Sequence, residues 1–313
     1  MGKLDTLLKY HLIGGEQLTT NRINPVSPGL NLYLQSMLLL APPSATLPPG
    51  YRMPVFLGKQ GTTVFANNVP ITAPDIAASN GVMHKTYVAL LPPDKVLWQT
   101  IAANAGDEYT YFKAAVIRAD GGDQPEGTFQ SALRTPNANF TALIPTNAAF
   151  EQLLIGQITL ALIGQGIQPA IADAAARGLV ATYGVTIISD PASIPGYGPA
   201  LAAVMTQQLA QGIVAYHLLA KPGATTVGYR NFTVNFPTTD AFVPTLLNAS
   251  VANHPGVALK ATFGASGVTA ATAKGFANTT ASNVILSAPP STTNDLNHIN
   301  GVIHRIDQVL LPQ

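Results

Sequence analysis

Residues 80–92 read NGVMHKTYVALLP and residues 300–312 read NGVIHRIDQVLLP, identical at seven of thirteen positions, with Arg305 in place of Lys85. A word of this length that returns constrains the fold more than any local propensity, because it demands a unit built twice. The copies extend upstream. Asp75-Ile76 precedes Asn80 as Asp295-Leu296 precedes Asn300, and a Tyr-His pair stands earlier still, at Tyr10-His11 and at Tyr216-His217. The order is kept while the spacing drifts, a difference that loops absorb. A chain of 313 residues has room for two domains of ordinary size.

The word has readable local physics. Asn80-Gly81 and Asn300-Gly301 offer the residues that a tight turn needs. After the turn, Val302, His304 and Ile306 alternate with Ile303, Arg305 and Asp307, which predicts a strand that Pro312 closes. Asp75 and Asp295 read as caps of a short helical turn just before each Asn-Gly pair. Strands are also predicted over 30–40, 53–58, 63–72, 230–236, 256–264 and 282–288. Helices are predicted over 94–105, capped by Asp94, over 169–179 and over 198–219. The apolar run 153–164 reads as a buried helix.

Charged residues make up 10% of the chain, against roughly 25% in an ordinary soluble protein. Sixteen basic and fifteen acidic side chains leave no field to hold nucleic acid, and none is expected as a partner. The absence of cysteine removes disulfides, thiolate nucleophiles and Cys-based metal sites. The first fifteen residues hold no apolar core of a secretion signal. The run 153–164 is too short to span a bilayer, so no transmembrane segment is expected. Asn-x-Ser/Thr sequons occur at Asn139, Asn231, Asn248 and Asn278, no more than composition alone would supply.

Three words together resemble the fasciclin family, the FAS1 or beta-Ig-H3 domain. The first is FTALIPTNAAF, carried by Phe140, Thr141, Pro145, Thr146, Asn147, Ala149 and Phe150; the second is Tyr216-His217; the third is Asn300-Gly301, His304 and the Leu-Leu-Pro end. The resemblance implies an α+β fold, a twisted β-sandwich wedge with helices packed along one edge, in two tandem units. Residues 94–313 would form a complete unit with a long helical insertion near 151–212, and 177–198 is read there as an extra hairpin or lobe. Residues 1–93 would form only the C-terminal part of another, since they carry Tyr10, His11, Asn80, Gly81 and His84 but no Pro-Thr-Asn word. Half a wedge exposes an apolar face and strand edges, which invites self-association.

The family resemblance further implies adhesion or recognition at a cell surface or in the envelope, without catalysis and without a cofactor. The partner would be a surface or matrix protein or a glycan. Some animal members use an Asp-Ile or Asp-Leu step for receptor contact, which maps onto Asp75-Ile76 and Asp295-Leu296. From the residues themselves, His217 and His304 sit in apolar runs, where a ring hydrogen-bonded to backbone is the simpler reading than a catalytic or metal centre. His298 and His304 are six apart, a spacing no regular element brings to one face for zinc. No G-x-S-x-G nucleophile turn and no G-x-G-x-x-G loop occurs. Trp98, the one tryptophan available for sugar stacking, falls in a helical pattern that buries it. The alternative expectation is an extracellular binder of a small ligand or glycan, using a cleft near 150–216.

Overall fold

The computed structural model describes residues 3–23, 32–40, 50–103, 108–123, 126–196, 198–220, 230–265, 267–287 and 291–313. The first unit opens with helix α1 (Lys3–Tyr10). It continues as an antiparallel meander of β1 (Leu32–Leu39), β2 (Arg52–Gln60), β3 (Thr63–Ala66), β4 (Val69–Ala78) and β5 (Gly81–Thr86), paired in chain order. Alternation in β1 places Leu34, Ser36 and Leu38 inward and Gln35, Met37 and Leu39 outward. Tyr10, Ile23, Val55, Leu57 and Leu90 form the core of this unit. The segment predicted as one strand over 63–72 is instead a hairpin, because Asn67 takes a positive φ of 54° at its turn.

The second unit begins with helices α2 (Leu97–Ala103), α3 (Thr110–Asp120) and α4 (Thr128–Arg134). Strand β6 (Phe140–Pro145) then feeds α5 (Asn147–Gly164) and α6 (Pro169–Ser189). A short α7 (Pro199–Ala202) leads to α8 (Gln207–His217), β7 (Leu218–Leu219) and β8 (Ala241–Val243). The chain ends with β9 (Val257–Gly264), β10 (Gly267–Lys274), β11 (Ser282–Asn283), β12 (Leu296–His298) and β13 (Gly301–Ile306). Two four-stranded sheets result, ordered β11-β10-β9-β8 and β12-β13-β6-β7. The fold is mixed α+β with open sheets. One pairing carries the later argument: β13 lies parallel to β6, with Gly301 opposite Phe140 and Ile306 opposite Pro145.

Several expectations are corrected. Asp94 is not a cap; helix α2 starts at Leu97, whose N–H is held by the Asn300 side chain at 2.8 Å, a partner invisible to local reading. Residues 230–236 are not a strand but contain a 3-10 turn at Thr233–Asn235, since side chains take the Phe232 and Thr233 N–H groups. Strand β10 arises where none was predicted. The helix predicted over 198–219 breaks at Thr206, whose hydroxyl caps α8 by accepting from Leu209 N–H. The extra hairpin does not form. Helix α6 runs through that region and kinks at Gly184 (φ 16°, ψ −94°), where a Cβ would sit 2.3 Å from the Tyr111 hydroxyl.

Helix α5 buries only one stripe, Phe150, Leu154, Ile158 and Leu162, while Leu160 faces solvent. Against it packs the stripe Ala172, Ala176, Val180 of α6, whose small side chains allow close approach. By length and apolar composition α6 is long enough to cross a membrane, which the reading of 153–164 overlooked. Here it is a packed helix with an exposed Asp173–Arg177 pair on its outer side.

The two units share one apolar seam of Phe56, Phe65, Phe232, Val234 and Val302. Arg230, 1% exposed, locks it. Its guanidinium donates to Asn297 Oδ1 and His298 O at 2.8 Å, to Ile299 O at 2.9 Å and to Asn139 Oδ1 at 3.0 Å. Its Cζ also stands 4.6 Å over the Phe56 ring of the first unit. Burial lowers the Arg230 pKa to about 10, so the group remains a cation at neutral pH.

Candidate functional site

The Asp, His and Tyr residues singled out in the repeated words make matched hydrogen bonds in the two units. In the second unit Asp295 has a positive φ of 53°, heading β12; it caps no helix. Its carboxylate accepts from Thr233 N–H and Thr233 Oγ1, both at 2.6 Å, and from Asn294 Nδ2 at 2.8 Å. Its own N–H points to His304 Nδ1 at 3.2 Å, and His304 Nε2 lies 2.7 Å from Asn231 O. One arrangement of protons satisfies both contacts: Nε2–H donates and Nδ1 accepts. His217 has the opposite tautomer, since Nδ1 faces Ile213 O at 2.7 Å while Nε2 accepts from Leu310 N–H at 2.9 Å.

The first unit repeats these bonds except the one from Asn294, whose place before the aspartate is taken by Pro74. Asp75, φ 57°, accepts from Thr20 N–H at 2.9 Å and from the Thr20 hydroxyl, and its N–H meets His84 Nδ1 at 3.2 Å. It lies within β4 and so caps no helical turn either. His84 Nε2 lies 2.7 Å from Leu18 O. His11 spans from Leu7 O at 2.8 Å to Leu90 N–H at 2.9 Å. Tyr10 and Tyr216 are likewise matched: each hydroxyl donates to a backbone carbonyl, Pro54 O and Gly256 O, and accepts one further N–H. Thr20 and Thr233 escaped sequence reading, although Thr-x-Arg-Ile and Thr-x-Asn-Phe around them were a faint shared signal.

The chemistry left to these rings is small. Both nitrogens of each are spent on backbone, so none offers a lone pair to a metal or a proton to a substrate. Burial pushes His217 down to about 4 and lowers His304 as well, with Asp295 opposing the second shift. His298 is also held to about 4 by burial, with Thr100 Oγ1 at 2.7 Å from its Nε2. Among the described residues no cluster of three or more His, Asp or Glu could hold a metal ion.

The closing words differ in surroundings. The Asn300 side chain accepts from Leu97 N–H and donates to Leu133 O, both at 2.8 Å. A Cβ on Gly301 would lie 2.7 Å from both Phe140 O and Leu97 Cδ1. Asn80 is exposed, and a Cβ on Gly81 would meet nothing within 4 Å. In the first word, Pro145 ends β6 and Thr146 caps α5 by accepting from Ala149 N–H, while Asn147 Oδ1 accepts from Tyr111 N–H. Of the two Asp-apolar steps, Asp295 is buried and Leu296 half-buried, whereas Asp75 and Ile76 are both exposed.

Three of the four sequon amides are spent on the fold, and the fourth, that of Asn231, is buried with no hydrogen-bond partner among the described residues. Asn139 binds Arg230, Asn231 is 1% exposed, Asn248 holds Thr245 and His254 O, and Asn278 holds Leu311 and Val309. A cleft of about 860 Å³ opens between α5, α8 and the C-terminal segment, lined by Leu153, Gln157, Met205, Leu209, Leu247 and Leu311 among others. A smaller one, about 530 Å³, lies at the Gly184 kink beside Tyr111 and Glu151.

No protein-family model and no curated protein matches the chain. A solved FAS1 domain pair from the insect cell adhesion molecule Fasciclin I is similar over 99% of this chain and 80% of that one, at 13% identity and a TM-score of 0.39.

Proposed function

We propose that this chain is a non-enzymatic recognition protein of the fasciclin type, built from two FAS1-like units at 1–93 and 94–313 and working in adhesion outside the cell or in its envelope. The observation that carries the reading is the pair of matched histidine networks. Residues that would otherwise be the first candidates for catalysis hold backbone in both copies, and few reaction centres need duplication. The low charge and the resemblance of the three sequence words support an outward address and a surface or matrix partner. The test is twofold. Beads coated with the chain should adhere to cells or matrix above uncoated beads, and His217→Ala or His304→Ala should unfold the chain. A His304→Ala protein that folds normally yet loses a turnover would overturn it.

A second reading rests on the 860 Å³ cleft, which lies in the 150–216 region where a ligand site was anticipated. Its mixed lining of leucines and glutamines suits a small amphipathic molecule. Native mass spectrometry of the chain purified without detergent tests this: a retained small molecule, lost on Leu209→Trp, supports it.

A further inference from the structure

The repeat supplies an internal template for the uncovered edge of the first unit. In the second unit the strand after Asn-Gly has β12 on one edge and β6, parallel, on the other. In the first unit β5 has β4 on one edge, and no described strand pairs with the other. Matching positions show the same gap. Ala210, Val214, Leu218 and Ile303 are each 0% exposed, whereas their counterparts Leu4, Leu8, Leu12 and Met83 are 68%, 56%, 52% and 56% exposed. These are the side chains that the α3 layer and β6 cover in the second unit.

Asn80 and Gly81 add a second, independent argument. In the second unit that pair is needed because something approaches: Asn300 bridges a helix N–H and a helix-end carbonyl, and Gly301 clears room for the β6 backbone. Among the described residues the Asn80 amide has no hydrogen-bond partner, and Gly81 lies in open space at an ordinary φ. An open β-edge with an unpaired amide and an apolar flank is a site for strand addition.

We infer that the β5 edge and the apolar flank of α1 are a docking site for a polypeptide segment. That segment lays a parallel strand against Gly81–Thr86 and turns through a Pro-Thr-Asn-like cap into a helix, the chemistry of residues 140–154. A second copy of the chain is the poorer occupant. Its β6 is already paired with its own β13, and its bare β5 edge carries no helix terminus to satisfy Asn80. This inference goes beyond the adhesion reading and does not depend on it, since it rests on the template alone.

The test uses the full chain and a labelled synthetic peptide of residues 138–152, read by fluorescence anisotropy and by hydrogen exchange at residues 81–86. Binding should slow exchange of the outward β5 amides at least tenfold. Gly81→Val should leave the thermal transition of the chain unmoved, because its side chain meets nothing, and weaken peptide binding at least tenfold. No binding, binding without protection of β5, or equal binding to Gly81→Val would each overturn the inference. So would a dimer in sedimentation whose formation alone protects β5, since that assigns the edge to a second copy.

Discussion

In the second unit Asp295 and His304 are buried, whereas in the first an exposed Asp75 and a half-buried His84 make the matching bonds to threonine and backbone. The geometry of the closing hairpin is therefore set by local demands: a positive-φ aspartate, a threonine that fills its carboxylate, and a ring that bridges two backbone groups. Burial does not create that geometry. It changes what breaking it costs, because an orphaned polar group in the interior loses its bond and cannot recover water. The duplication separates these two contributions within one molecule.

The largest difference should appear in acid. The folded pKa of His217 and of His298 is about 4 and that of His304 is lowered, all below the unfolded value near 6.5. Unfolded rings thus bind protons first as pH falls. The stabilisation is complete above 6.5 and is lost between 6.5 and 4, with His217 alone contributing on the order of 3 kcal/mol. Trp98 fluorescence, which reports the second unit only, should show denaturant midpoints falling across that window. A flat profile would mean that the rings are hydrated.

Glycine substitution sharpens the contrast. Gly301→Ala forces a methyl into Phe140 O and Leu97 and should cost about 3 kcal/mol, whereas Gly81→Ala should stay within about 0.5 kcal/mol. Equal effects in urea melts would show that the first unit is as closely packed as the second. Next comes the carboxylate: Asp295→Ala orphans the buried Thr233 N–H and hydroxyl and should cost about 2–3 kcal/mol, against less than about 1 kcal/mol for Asp75→Ala, whose partners regain water. The smallest effect is Thr146→Ala, which removes the α5 cap for about 1 kcal/mol.

Much of this organisation was legible because a duplicated word carries its own control. The Tyr-His and Asn-Gly-Val-x-His words located all four bridging rings, and the Pro145-Thr146-Asn147 run leaves the α5 cap open between Thr146 and Asn147, of which Thr146 makes it. The aspartates were misread as helix caps because a positive-φ aspartate and an N-cap leave the same trace: a short polar side chain ahead of a turn. Residues 230–236 have strand composition, yet Asp295, far along the chain, takes the Thr233 N–H. Arg230 was overlooked for the same reason. A lone arginine among apolar residues shows its meaning only when carbonyls from 298 and 299 and the Phe56 ring converge on it.

That convergence has a consequence for synthesis. The outer face of β2 leaves the ribosome with Phe56 bare, and its lid, Arg230 and Phe232, follows some 170 residues later. At translation rates of about 5–20 residues per second, the nascent first unit waits roughly 10–35 s with an aromatic surface uncovered. Pausing or chaperone capture in that interval would then govern the yield of intact protein.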